Sequence, residues 1–296
     1  MKLEPLPLKR LKAAMSVAGA SPRRRLGQHF LQDHEVLAEM VQVAEVSSDD
    51  RVLEVGPGPG ILTRHLLAAG AEVDGVEIDP AMQKVARALI EPKLSERLHW
   101  HEGDAMEGTR RVGKVLAPLI DDATAFVSNL PYSIAGPLLA AIVSRDEGPK
   151  RLVVMVQSEL AERLMSPPGR KTYGPLSVVM SLGANVTRIR RVSPGAFWPR
   201  PKVFSSVLMI EKHPGRPTNR EFLQLDGFLA SAFHNRRKTI VNSIAQAEAV
   251  SPEEVKSCLC LDKKSQKSRA EVFSGVELRS LAQRWAGNAP GERDRP

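Results

Sequence analysis

Apolar positions along this chain fall into short runs separated by glycine- and proline-rich breaks. Arg51–Val55, Glu72–Ile78, Ala123–Val127 and Arg151–Val156 are brief apolar runs carrying β-branched residues, as buried parallel strands do, and Leu98–His101 is predicted as a further short strand. Ile61–Ala69, Ala81–Ile90, Ile134–Val143 and Ser158–Leu164 lie between or after them and space their apolar residues as helices do. A further helix starts at Asp33, a good N-cap, and runs to Ala44. Strands alternating with helices predict an α/β fold built on a parallel sheet. Pro175–Thr187 and Ser205–Ile210 are predicted as its last strands, antiparallel to the rest. Past a Pro/Gly/basic linker at Lys212–Thr218 the pattern becomes wholly helical: Arg220–His234, Arg236–Gln246, Pro252–Cys258 and Glu277–Trp285. The predicted organisation is a flexible basic arm over residues 1–25, an α/β domain over 26–212, a small all-α domain over 213–287 and a disordered tail over 288–296.

Composition narrows the class of partner. The chain has 296 residues, a 42% apolar fraction, a net charge of +8 and a pI of about 9.7. That balance suits a polyanion such as nucleic acid, although a solvated basic surface or an anionic membrane surface gives the same number. No apolar run approaches the roughly 18 residues of a spanning helix, so no membrane role is expected. Lys9, Arg10 and Lys12 break any apolar core of a secretory signal, and Met15 is a second candidate start. The two cysteines, Cys258 and Cys260, are too close for an unstrained bridge, which predicts reduced thiols in a cytoplasmic protein. No Cys/His cluster has metal-ligand spacing, so no metal is expected.

The chemistry gathers where predicted strands end. After Arg51–Val55 comes Gly56-Pro57-Gly58-Pro59-Gly60, then a helix: strand, glycine loop, helix. The two prolines remove amide donors that a pyrophosphate would need. A nucleoside with an uncharged linker does not need them, which tips the choice from NAD to S-adenosylmethionine. Glu77, some twenty residues past the glycines and at its strand's end, can accept both ribose hydroxyls or simply be a surface acid. Asp104, in Gly103-Asp104-Ala105-Met106, can accept from the adenine amino group or cap a turn.

The turn Asn129-Leu130-Pro131-Tyr132 follows the strand ending at Val127. It offers an amide side chain, backbone carbonyls and an aromatic face, a set suited to holding a flat amino-bearing base. A proline turn with a packed tyrosine is the plainer reading. Phe197-Trp198-Pro199-Arg200-Pro201-Lys202-Val203 mixes stacking faces and charge, as base-binding loops do. Basic runs recur at Arg23–Arg25, Phe233–Lys238 and Lys263–Arg269.

Taken in order, Gly-Gln-His-Phe-Leu, Glu-Val-Gly-Pro-Gly, Glu77, Gly-Asp-Ala, Asn-Leu-Pro-Tyr, Phe-x-Pro-x-Pro-Lys-Val and Asn-Arg-Arg-Lys-Thr resemble the KsgA/RsmA family of small-subunit ribosomal-RNA adenine dimethyltransferases, from about Arg24 to Trp285. The resemblance implies a Rossmann-like class I S-adenosylmethionine-dependent methyltransferase domain with a small C-terminal all-α domain. It implies cofactor contacts by His29, Leu31, Gly56, Glu77, Asp104 and Asn129, and a catalytic, base-holding set of Asn129, Leu130, Pro131, Tyr132 and Phe197. The family often has asparagine at the place of His29, so the contact there is expected from the backbone; Ser133 stands where the family commonly has a second asparagine. The implied reaction is dimethylation of N6 on two adjacent adenosines of the 3′-terminal stem-loop of 16S rRNA, in an immature small ribosomal subunit, by a monomer. Related large-subunit methyltransferases of the macrolide-resistance type tend towards Asn-Ile-Pro-Tyr. A mitochondrial homologue acting as an assembly or transcription factor is the rival from a binding class.

Overall fold

The computed structural model describes residues 3–108 and 111–288. The chain forms two compact units: residues 1–161 with 185–212, and residues 162–184 with 213–296. The first contains α1 (Leu8–Val17), β1 (Phe30–Leu31), α2 (His34–Val43), β2 (Arg51–Val55), α3 (Ile61–Ala69), β3 (Glu72–Glu77), α4 (Pro80–Leu89), α5 (Pro92–Ser95) and β4 (Leu98–Glu102). It continues with β5 (Met106–Glu107), β6 (Arg111–Val112), α6 (Leu116–Asp122), β7 (Ala125–Asn129), α7 (Ala135–Ser144) and β8 (Arg151–Gln157). After α8 (Ser158–Leu164) and α9 (Pro175–Gly183) the chain re-enters it with β9 (Ala184–Val192), β10 (Phe197–Trp198) and β11 (Ser205–Lys212).

A seven-stranded sheet runs in the order β4-β3-β2-β7-β8-β11-β9. β4, β3, β2, β7 and β8 are parallel, and β11 is antiparallel to β8. The centre is apolar on both faces: Val52, Leu53, Val73, Phe126, Val127 and Val153 are fully buried. That double burial explains the unalternating hydrophobic runs of these strands. Sequence order reverses between β2 and β7. From β2 the chain moves outwards through α3 to β3; from β7 it moves the other way through α7 to β8. Connections leaving in opposite directions open a crevice at the carboxyl ends of this strand pair, the usual place for a ligand in an open α/β sheet.

Two expectations are corrected. The first 25 residues contain a helix: in α1, Leu11 and Met15 are buried one turn apart, within a core cluster shared with α4. Their i, i+4 spacing is an apolar stripe, hidden in the sequence among lysines and arginines. The segment Pro175–Gly183 is a helix, not a strand. Pro175 occupies its first turn and the Gly174 N–H donates to Ser177 Oγ (3.2 Å). Val178, Val179, Met180 and Leu182 are all buried, so the run shows no period that separates helix from strand.

The second unit is all-α. Besides α9 it holds α10 (Asn219–Ala232), α11 (Ile240–Glu248), α12 (Pro252–Leu259) and α13 (Gly275–Asn288). Thr218 with Glu221, and Ser251 with Glu254, close capping boxes at α10 and α12. α9 packs on α10 and α13. The expected tail lies outside the described residues beyond Asn288, which ends α13. Among the described residues no helix is long and apolar enough to cross a membrane, and no group of His, Cys, Asp and Glu could hold a metal ion.

Candidate active site

The crevice is a cavity of about 180 Å³ in the first unit. Its floor is the turn from β2 into α3. Gly56, Gly58 and Gly60 all adopt positive φ (71°, 56° and 77°), which side chains with a Cβ rarely take. At Gly56 contact adds to conformation: a Cβ there would stand 2.9 Å from Pro131 Cγ. Bare backbone at position 56 therefore lets the glycine loop and the Asn-Leu-Pro-Tyr turn meet. Ser128, fully buried, ties the two strand ends by donating its Oγ–H to Val55 O (2.6 Å).

Opposite the loop stands Glu77 at the end of β3, only 5% exposed. One carboxylate oxygen accepts the Gly58 N–H and the other the Asp79 N–H, each at 2.9 Å. Burial raises its pKa above the usual range, and those two amide donors oppose the shift. Each oxygen keeps a second lone pair, which is what a pair of ribose hydroxyls requires. Asp79 caps α4 and receives Gln28 Nε2 (3.1 Å), with Arg23 Nη1 3.5 Å away, so the Gly-Gln-His-Phe-Leu segment is tied beside Glu77. Asp104 is exposed on the cavity wall, its Oδ1 accepting the Met106 N–H (3.0 Å).

Asn129 ends β7. Its Nδ2 donates to His29 O (3.2 Å), leaving the amide oxygen as the acceptor. Leu130 has a buried side chain and donates its N–H to Met155 O (3.1 Å). Tyr132 shares a hydrogen bond with Ser205 Oγ (2.9 Å), and its ring faces that of His29 with centroids 6.1 Å apart and planes 25° from parallel. Burial pushes the tyrosine pKa up, so it stays a neutral stacking face. The His29 ring is turned away from its own carbonyl by donating Nδ1–H to Pro199 O (2.7 Å).

Every residue expected to touch a cofactor (His29, Leu31, Gly56, Glu77, Asp104 and Asn129) lines this one cavity, as do Leu130, Pro131 and Tyr132. Phe197 does not. Its ring is 4% exposed and belongs to the hydrophobic core, and its backbone pairs with Leu31 in the β1–β10 bridge. An aromatic residue in a mixed basic loop reads as a stacking face, but this one fills core volume. The basic run at Phe233–Lys238 is also split: Arg236 Nη2 donates to Lys171 O (2.9 Å) and Tyr173 O (2.8 Å) and pairs with Glu271, so it works within the helical unit.

Glu54 lines the cavity and was not singled out from the sequence. Its carboxyl is 2% exposed, accepts Thr63 Oγ1–H (2.7 Å), and is pushed up to about 8 by desolvation, with the Glu77 charge adding to the shift. A carboxyl in the middle of the apolar run Arg51–Val55 is the signal that could have found it, since buried acids are rare without a purpose.

A parallel sheet with an antiparallel seventh strand, β11, set between the fifth and sixth, β8 and β9, a glycine loop unsuited to pyrophosphate, and acids at the next two strand ends define a Rossmann-like S-adenosylmethionine-dependent methyltransferase carrying a helical domain. The ribosomal RNA adenine dimethylase family matches residues 19–274, and the chain belongs to that family. It is 38% identical to the ribosomal RNA small subunit methyltransferase A of Thermosynechococcus vestitus, over 88% of this chain and 96% of that protein. It is 35% identical to the protein of that name from Phenylobacterium zucineum, over 96% and 95%. Among solved structures, a dimethyladenosine transferase from Plasmodium falciparum superposes with a TM-score of 0.68 at 23% identity, over 88% of this chain and 98% of that one. The 23S rRNA methyltransferase ErmE gives 0.56 at 21%, over 86% and 98%; both likenesses speak for the fold.

Proposed function

We propose that this protein dimethylates N6 of two adjacent adenosines in the 3′-terminal stem-loop of small-subunit (16S) ribosomal RNA, with S-adenosylmethionine as donor. It acts as a monomer, in the cytoplasm, on an immature small ribosomal subunit. The observation that carries the reading is the contact of the glycine loop with the Asn-Leu-Pro-Tyr turn at the point where sheet order reverses. A nucleoside site and a set of oxygens for an aromatic amine thereby share one crevice.

The residues present fit the donor. Glu77 would hold the ribose hydroxyls, Asp104 would take the adenine amino group, and the backbone at Gly56 and the His29–Leu31 segment would face the linker. The buried carboxyl of Glu54, pushed up to about 8 by desolvation, lines the same cavity and keeps its proton at neutral pH. When bound, S-adenosylmethionine supplies an electrophilic sulfonium methyl group.

The target base leaves its stack and enters beside Tyr132. The N6 lone pair of adenine is delocalised into the ring, which makes the amine a poor nucleophile. Asn129 Oδ1 and Leu130 O accept the two N6 hydrogens. That favours a tetrahedral nitrogen with its lone pair free to point at the methyl group. Positioning would then carry much of the rate, by bringing the attacking and receiving atoms into line. As the nitrogen–carbon bond forms, the carbon–sulfur bond would break and a neutral thioether would leave; the alkylated nitrogen, now acidic, would lose its proton to water, so no strong general base is required.

The test is a comparison of substrates. Purified protein with labelled S-adenosylmethionine and undermethylated small subunits should yield N6,N6-dimethyladenosine; large subunits should stay unlabelled. Label in large subunits, or none in either, would overturn the assignment.

A further inference from the structure

The stretch from Pro199 to Ser205 is pinned at both ends to the two rings at the cavity mouth. Pro199 O accepts from the His29 ring, and Ser205 Oγ bonds to the Tyr132 hydroxyl. Between the pins lie Arg200, Lys202, Val203 and Phe204. Phe204 has its backbone fixed, its carbonyl accepting the Ser158 N–H (2.9 Å), yet its side chain is 42% exposed and that of Val203 is 43% exposed. The guanidinium of Arg191, on the edge strand β9, lies 4.0 Å from the centre of the Phe204 ring. Among the described residues, Arg190 pairs with Glu39, while Arg191, Arg200 and Lys202 form no ion pair.

A fixed, exposed aromatic ring under an arginine, close in the chain to further cations that form no ion pair among the described residues, is a costly surface for a protein that leaves it to water. It matches single-stranded RNA, which offers a flat base and a phosphate with each nucleotide. Phe204 does not line the cavity, while its neighbour Ser205 bonds to Tyr132, so the Phe204 ring stands beside the cavity rather than in it and cannot meet the base held there.

We propose that Phe204 and Arg191 form a subsite for the nucleotide next to the target adenosine: the base stacks on Phe204, and Arg191 with Lys202 neutralises the adjoining phosphates. The inference rests on the RNA methyltransferase reading above. It explains how an enzyme that flips one base can hold its neighbour in register, since contacts to flanking nucleotides set substrate choice in enzymes that act on extruded bases.

The experiment measures kcat and KM on undermethylated small subunits, with calorimetric binding of S-adenosylmethionine as a fold control, for wild type, Phe204→Ala, Phe204→Trp and Arg191→Gln. Phe204→Ala should raise KM about tenfold, as loss of one stacking face does, with cofactor affinity and kcat held. Phe204→Trp should restore KM, because any flat ring serves. Arg191→Gln should reduce the slope of log KM against log salt by about one, the mark of one lost phosphate contact. A wild-type KM in Phe204→Ala, or equal impairment in Phe204→Ala and Phe204→Trp, overturns the subsite while leaving the enzyme's function standing. Failure of the wild-type protein to methylate the subunits overturns both.

Discussion

At the scale of single residues, the proposed chemistry turns on the amide of Asn129. Its nitrogen is committed to His29 O, so the oxygen is the atom available to a target amine. Asn129→Ala should lower the single-turnover methylation rate by about 10²–10³, as loss of one preorganised partner does. Turnover near wild type would remove the residue from the mechanism. Glu54 makes a second prediction, on stability. Its ordinary pKa of 4.5 is raised to about 8 in the fold, so the folded chain keeps a proton that the unfolded chain has lost. The resulting stabilisation is complete below 4.5 and disappears as pH rises through 8. Glu54→Gln keeps an acceptor for Thr63 but cannot ionise. Calorimetric melting temperatures of wild type should therefore fall relative to the variant across that window without cofactor; parallel curves would show Glu54 charged throughout.

At the scale of elements, the legible parts were those with one local cause. β2, the glycine loop and α3 are read directly, because β-branched residues, positive-φ glycines and an apolar helical stripe each specify their own backbone. Asp33 marks a helix start by the hydrogen bonds it accepts. α9 resists the same treatment: with Val178, Val179, Met180 and Leu182 all buried, its apolar residues carry no periodicity, and two adjacent valines invite a strand. α1 resists it for the opposite reason, its short apolar stripe being outnumbered by charge. Phe197 and Phe204 flank the same proline-rich stretch between β9 and β11, yet the first is core and the second is exposed. Only the pairing of β10 with β1 separates them.

At the scale of the whole molecule, the boundary between units does not follow the chain. Residues 162–184 belong with the C-terminal helices, where α9 is covered by α10 and α13. A protein cut after Lys212 would keep α9 but lose both covering helices, exposing Val178, Met180 and Leu182, and should aggregate rather than give a clean cofactor-binding fragment. Size-exclusion chromatography checks this; a monomeric truncated protein that binds S-adenosylmethionine would refute it. Sequence alone determined the alternating α/β architecture, the glycine loop, the acids at the strand ends and the Asn-Leu-Pro-Tyr turn, because each is a local pattern with a local physical cause. Tertiary structure alone decided that Gly56 meets Pro131, that Glu54 is buried beside Glu77, that Arg236 is spent inside the helical unit and that Phe204 stays in water. Those outcomes depend on which surfaces meet across long separations in the chain, and no single stretch of residues carries that information.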